Sequence, residues 1–289
     1  MLPVVLTLAA CTLVAAAVAA PTPHSERARL GVFGLTLSYL ETTQHQSSVF
    51  EGKRTTFTTT FDNDFRVTLL RAGKTLLSRS LGCAYCVPAG LEADRPQPSL
   101  HFVRLEPQSQ PTALVDLFTG GAHCCFVSYL LTPNGGHVEL VRELWGDPGY
   151  RLADLGDNGR LEFVTADDRF AYAFTAYAAS LLPLRILSLE GTRLVDVTRS
   201  YPAELESDAR AAWRLYLQVR RGPTPDVRGV LAAWAADEAR LGDWKSATAA
   251  LAVALRQGEL AHGPAIAGWP IGRAYLTALQ RFLTRLGYL

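Results

Sequence analysis

The hydrophobic period of the sequence changes near Pro202, and this change restricts the fold more than any other feature. Upstream, Thr, Val, Phe and Tyr alternate with polar residues in the two-residue rhythm of strands, broken by turn-forming residues. Downstream, Ala, Leu, Arg and Trp recur at helical spacing. A chain that switches once from one rhythm to the other is expected to be α+β with its two halves segregated. The expected division is a β-rich domain over 20–202 and an α-helical domain over 203–289.

Within the first part, Thr55 to Phe61 alternates and runs into Asp62-Asn63-Asp64, a turn signal. Arg66 to Leu70 and Thr75 to Ser78 flank Arg71-Ala72-Gly73-Lys74, a hairpin in which Gly takes the positive φ the turn requires. Further strands are expected over Ala113–Phe118, Phe126–Leu131, His137–Leu144, Leu161–Ala166, Phe170–Tyr177, Arg185–Leu189 and Leu194–Thr198. Turns fall at Pro133-Asn134-Gly135-Gly136 and Glu190-Gly191-Thr192. Short strands at such spacing indicate an antiparallel domain. Val103 to Val115 can also be laid over Leu152 to Val164 without gaps, which suggests an internal repeat.

In the second part, Leu205, Ala209, Ala212, Trp213, Tyr216 and Val219 share one helical face, and Gly222 ends that helix. Thr224-Pro225 is expected to open a second helix, ended by Gly242. Asp243 is expected to cap a third, and Ile271 to Leu286 forms a fourth. Trp213, Trp234 and Trp244 read chiefly as core, although a groove lined by them would suit a protein contact.

Met1 to Ala20 carries no charged side chain and passes from an apolar run into small residues, the order of a secretory signal. Proline at position 21 disfavours a cut after Ala20, so the expected cut follows Ala19, giving a signal over 1–19. Leu8-Ala9-Ala10-Cys11 also fits a lipobox, which would tether the chain through Cys11; an uncleaved anchor is the third reading. No other apolar run is long enough to span a membrane. The near-neutral formal net charge of +1 argues against nucleic acid as a partner, since phosphate binding needs a basic surface.

Removing the signal also removes Cys11 and leaves Cys83, Cys86, Cys124 and Cys125. An even set in an exported chain reads as disulfides. Closure within each pair and cross-pairing between the pairs are both open. His123 with these cysteines gives a zinc alternative, and Cys83-Ala84-Tyr85-Cys86 a redox alternative.

The segment Ala153-Asp154-Leu155-Gly156-Asp157-Asn158-Gly159-Arg160-Leu161-Glu162-Phe163 resembles the loop of FG-GAP/VCBS-type repeats of extracellular proteins. That resemblance implies propeller-blade-like β repeats and a calcium site using Asp154, Asn158 and Glu162, since calcium gathers oxygens around a tight turn. Gly156 stands where the pattern has Asp, and the other copy, Glu106 to Pro111, has almost no ligands. A plain βturnβ loop explains the same residues. Leu241-Gly242-Asp243-Trp244-Lys245-Ser246-Ala247 resembles the centre of a tetratricopeptide repeat, and a generic helical hairpin fits it equally.

No nucleophile elbow, zinc-protease motif, phosphate loop or dinucleotide fingerprint is present in the sequence. The expectation is therefore an extracytoplasmic, non-enzymatic binding or scaffold protein of the cell envelope. Its partner would be a protein or an envelope polymer, and its only cofactor calcium. The alternative is a hydrolase of wall polymers using Asp154, Glu162, Asp167 and Asp168, which requires those carboxylates to converge in one cleft.

Overall fold

The computed structural model describes residues 13–50, 53–83, 86–90, 98–120, 124–223, 225–261 and 268–289. The β part consists of β1 (Leu13–Val18), β2 (Thr22–Leu30), β3 (Phe33–Phe50), β4 (Lys53–Arg71), β5 (Lys74–Ser80), β6 (Val87–Pro88), β7 (Leu100–Val103), β8 (Thr112–Phe118), β9 (Phe126–Asn134), β10 (His137–Gly146), β11 (Arg151–Ala153), β12 (Glu162–Ala166), β13 (Leu184–Glu190) and β14 (Arg193–Asp196). The helices are α1 (Pro202–Val219), α2 (Arg228–Leu241), α3 (Trp244–Arg256) and α4 (Gly272–Leu286). None of the described helices is long and apolar enough to cross a membrane.

All pairing is antiparallel and falls into three sheets. The first holds β1 to β5, the second β6 to β10 and the third β11 to β14. They stack as layers, and the strand period explains how. On β8, Ala113, Val115 and Leu117 face the first sheet, where they meet Leu35, Leu37, Phe65, Val67 and Leu69. The intervening Leu114 faces the third sheet with Leu130, Trp145, Tyr150, Phe163 and Leu187. The second sheet is therefore covered on both faces, and this is why residues Thr112 to Leu117 are all buried.

The expected hairpins form. Ala72 and Gly73 both take positive φ between β4 and β5, the geometry of a tight two-residue connection. The turns after Asn134 and Glu190 close β9–β10 and β13–β14. The internal repeat has a structural counterpart: β7–β10 and β11–β14 are each four-stranded meanders. Their register corrects the gapless alignment by one residue. Phe102 pairs with Ala113 in the first and Leu152 with Phe163 in the second, so Ala113 corresponds to Phe163, not to Glu162. The sheets are open, and no ring of blades closes among the described residues.

Two expected elements differ. Asp62-Asn63-Asp64 is no turn: β4 runs straight through it, with Asp64 at φ +53° and a register shift opposite, between Ser38 and Leu40. The polar triplet makes a bulge inside one long strand, because β3 continues to pair on both sides of it. Phe170 to Tyr177 is not a strand. It contains short 3-10 turns at Asp168–Phe170 and Tyr177–Ala179, and Phe170 and Phe174 are buried among the helices.

The helical core gathers Tyr216, Leu231, Leu251, Tyr275 and Leu283 from all four helices. α2 is its centre, buried on every side, with Ala232, Ala233, Ala235 and Ala236 allowing close approach of its neighbours. It begins at Arg228, later than Pro225, because Asp226 holds the Arg228 guanidinium and backbone N–H just ahead of the first turn. Asp243 precedes α3 without a side-chain capping bond.

Candidate functional site

The β8, β9 and β10 strands end together at one corner. Cys124 and Cys125 lie just before β9 and are joined to each other. The Cys125 N–H donates to the Thr119 hydroxyl at 2.8 Å, and the Thr119 N–H donates to the Cys125 carbonyl at 2.9 Å, clamping the loop between β8 and β9. Phe126 pairs with Gly146, so Asp147 follows directly beside this loop. The second pair, Cys83 with Cys86, is also closed, with Cα atoms 5.8 Å apart. Each pair is local, and the cross-pairing alternative is not the one adopted. In the paired state none of these four sulfurs is a thiolate ligand for zinc. His123 lies outside the described residues, as does Cys11.

Beneath this corner is a buried polar network that the sequence did not single out. Asp116 on β8 is fully buried and pairs across the sheet with Ser128. The Ser128 hydroxyl donates to Asp116 Oδ1 at 2.5 Å, and the Tyr150 hydroxyl donates to Asp116 Oδ2 at 3.1 Å. Trp145 Nε1 donates to Ser128 Oγ at 2.7 Å, and His101 Nδ1 stands 3.7 Å from Asp116 Oδ2. Burial pushes the Asp116 carboxyl up to about 7, against the lowering effect of the Ser128 and Tyr150 hydrogen bonds. Asp116 can thus hold its proton near neutrality. The available signal was the lone acid inside the apolar run Ala113-Leu114-Val115-Asp116-Leu117.

The four carboxylates nominated for hydrolysis do not converge. Asp154 accepts from the Asn158 N–H at 3.0 Å and the Gly159 N–H at 2.7 Å. Asn158 Oδ1 accepts from the Arg160 N–H, and buried Glu162 accepts from the Leu155 N–H at 3.3 Å. Asp167 is a separate matter: it caps its 3-10 turn, binds Arg169 and accepts from the Tyr288 hydroxyl at 2.7 Å. Burial works against its charge, yet the Arg169 and Tyr288 bonds more than offset this and hold it below the usual carboxylate range. Asp168 points the other way, to the end of β10, where it accepts from the Asp147 N–H. Gly146 makes room for it, since a Cβ there would lie 2.1 Å from Asp168 Cγ. Two adjacent acids on a turn have been aimed apart, and no paired acid–base geometry results.

The same contacts bear on calcium. Both oxygens of Asp154 accept hydrogen bonds from backbone amides of the loop. Among the described residues no three His, Cys, Asp or Glu side chains gather as a metal site. The loop docks on its counterpart in the first meander: Arg160 pairs with Glu106 at 2.7 Å, the Leu161 N–H donates to the Leu105 carbonyl, and Gly159 sits against Pro107. Beside this junction is an open cleft of about 310 Å³ whose lining includes Glu106, Gln110, Asn134 and Glu139. A hydrogen bond between the Thr112 and Thr132 hydroxyls, 2.9 Å long, joins two more of its lining residues.

No protein-family model matches the chain. No solved structure matches it either. Among curated proteins it is similar to an uncharacterised protein of Sinorhizobium fredii, 31% identical over 188 residues, which is 61% of this chain and 28% of that protein. It is also similar to a probable thylakoid lumen protein of Synechocystis, 32% identical over 144 residues, which is 46% of this chain and 40% of that protein. The chain thus spans less than half the length of these relatives.

Proposed function

We propose that the chain is an exported, non-enzymatic binding or scaffold protein of the cell envelope. The observation that carries this reading is the closure of Cys83–Cys86 and Cys124–Cys125, because disulfides persist in oxidising compartments. The lumenal description of the Synechocystis relative supports the same side of a membrane. The apolar segment ending in Ala17 and Ala19 supplies the signal, cut after Ala19. Binding is favoured over catalysis because each nominated carboxylate is tied into a structural hydrogen bond. We read the two meanders as relatives of FG-GAP/VCBS repeats, on their shared register and docked loops. The cleft between them, lined by amides, hydroxyls and carboxylates, is the surface assigned to a protein or envelope-polymer partner.

The test is thiol mapping of the tagged full chain after cell fractionation. The expected result is an extracytoplasmic protein whose four cysteines label only after reduction. A cytosolic protein with freely labelled thiols overturns the proposal.

A further inference from the structure

The β3–β4 hairpin is longer than the core it serves. Leu35, Leu37, Phe65, Val67 and Leu69 belong to the core between the first two sheets, whereas none of the described residues from Thr43 to Phe61 does. Beyond Thr42 and Asp62, both buried at its root, the hairpin continues as a polar arm. Its strands are held by their ladder and by contacts such as His45 Nδ1 to Thr58 Oγ1 at 3.1 Å. A two-stranded ribbon without a packed face is marginal alone.

The arm's outer edge is covered in two stages. β2 pairs with β3 from Phe33 to Glu41. β1 then takes over, with Ala17 opposite His45 and Val14 opposite Ser47. The Ala19 N–H donates to the Thr43 carbonyl at 3.1 Å. A cut after Ala19 falls between these two strands. It leaves β2 in place and strips β1 from the upper half of β3. The alternation of an antiparallel ladder then leaves the N–H and C=O groups of Thr43, His45 and Ser47 directed outward without a strand partner.

We propose that this vacated edge pairs with the same edge of a second copy of the chain. The inference rests on the export reading. An antiparallel β3–β3 pairing is two-fold symmetric by construction, so one edge satisfies both partners. Charge permits it: from Thr42 to Phe50 the sequence contains no Asp, Glu, Lys or Arg, so two arms meet without like-charge repulsion. The edge also has the form that accepts a strand, since in the full chain an uncharged antiparallel segment occupies it. Maturation thus opens the β3 edge of the arm; its β4 edge is unaffected by the cut, since the β5 ladder on β4 reaches only from Arg66 to Arg71.

The experiment compares the mass in solution of three chains: residues 20–289, the same chain carrying Ser47→Pro or Ser47→Lys, and a chain that keeps residues 13–19. The expected result is a doubled mass for the first and monomers for the others, with unchanged far-UV circular dichroism showing that the body stays folded. A monomeric 20–289 chain overturns the proposal, including the case in which it takes up a synthetic Leu13–Val18 peptide instead. A dimer that survives both Ser47 substitutions overturns it equally. N-terminal sequencing of the exported full chain tests the cut separately, so failure of the export reading is distinguished from failure of the edge.

Discussion

Replacing Asp116 with asparagine should flatten the pH dependence of stability between about pH 4 and 7. In the folded chain Asp116 is fully buried, and its carboxyl rises from the ordinary 3.8 to about 7. The folded form therefore binds this proton more tightly than the unfolded form. The stability it contributes is complete below pH 3.8 and is lost as pH rises to about 7. A tenfold change in proton affinity is worth ~1.4 kcal/mol, so about three decades give a loss on the order of 4 kcal/mol. The substituted amide keeps an oxygen for the Ser128 hydroxyl and cannot ionise. Urea denaturation at a series of pH values, followed by far-UV circular dichroism, measures both chains. Other carboxylates titrate in this range, but they are common to both, so the difference reports Asp116 together with its contact to His101, 3.7 Å away. The gap between the two curves should move by several kcal/mol across the window, in favour of the amide variant at the higher pH. If the two stabilities run parallel from pH 4 to 7, the buried-acid argument is wrong.

Three other outcomes follow from the same geometry. Asp226→Ala leaves the Arg228 guanidinium, 1% exposed, without its carboxylate, and should lower stability by ~3–5 kcal/mol in denaturant titration. Asp154→Ala unties two backbone amides and should lower the melting temperature equally in calcium and in chelator; a loss seen only with calcium present would show that the loop binds metal instead. Gly146→Ala combines a φ of +75° with the collision against Asp168 and should destabilise the β10 end by about 2 kcal/mol or more, a deficit that Asp168→Ala partly relieves in a double-mutant cycle.

What the sequence disclosed was local. The tight turn at Ala72-Gly73 and the four helical stripes depend on neighbouring residues, and each formed near its expected place. Elements defined by distant partners were harder to read. β2 and the outer half of β3 have little apolar alternation, because one is a mostly exposed edge and the other an arm without a core. Asp62-Asn63-Asp64 has turn composition, and only the continued pairing with β3 makes it a bulge. Phe170 and Phe174 are spaced like strand residues or helix residues alike, and the helical core decided between them. At the site, cysteine pairing within each cluster was one of several readings left open by spacing. The Asp116 network was missed because Ser128, Trp145 and Tyr150 are distant in sequence and converge only when the sheets stack.

The enclosure of β8 between two layers has a consequence for how the protein comes apart. Its residues touch the core on one face through Val115 and Leu117 and the next through Leu114. Detaching either outer sheet exposes it, so no layer can open while leaving the centre intact. The amide protons of Leu114 to Leu117 should exchange with solvent only through global opening, at the slowest rates in the chain. The three sheets then behave as one cooperative unit, and attempts to express either outer layer without β8 should yield unfolded chains.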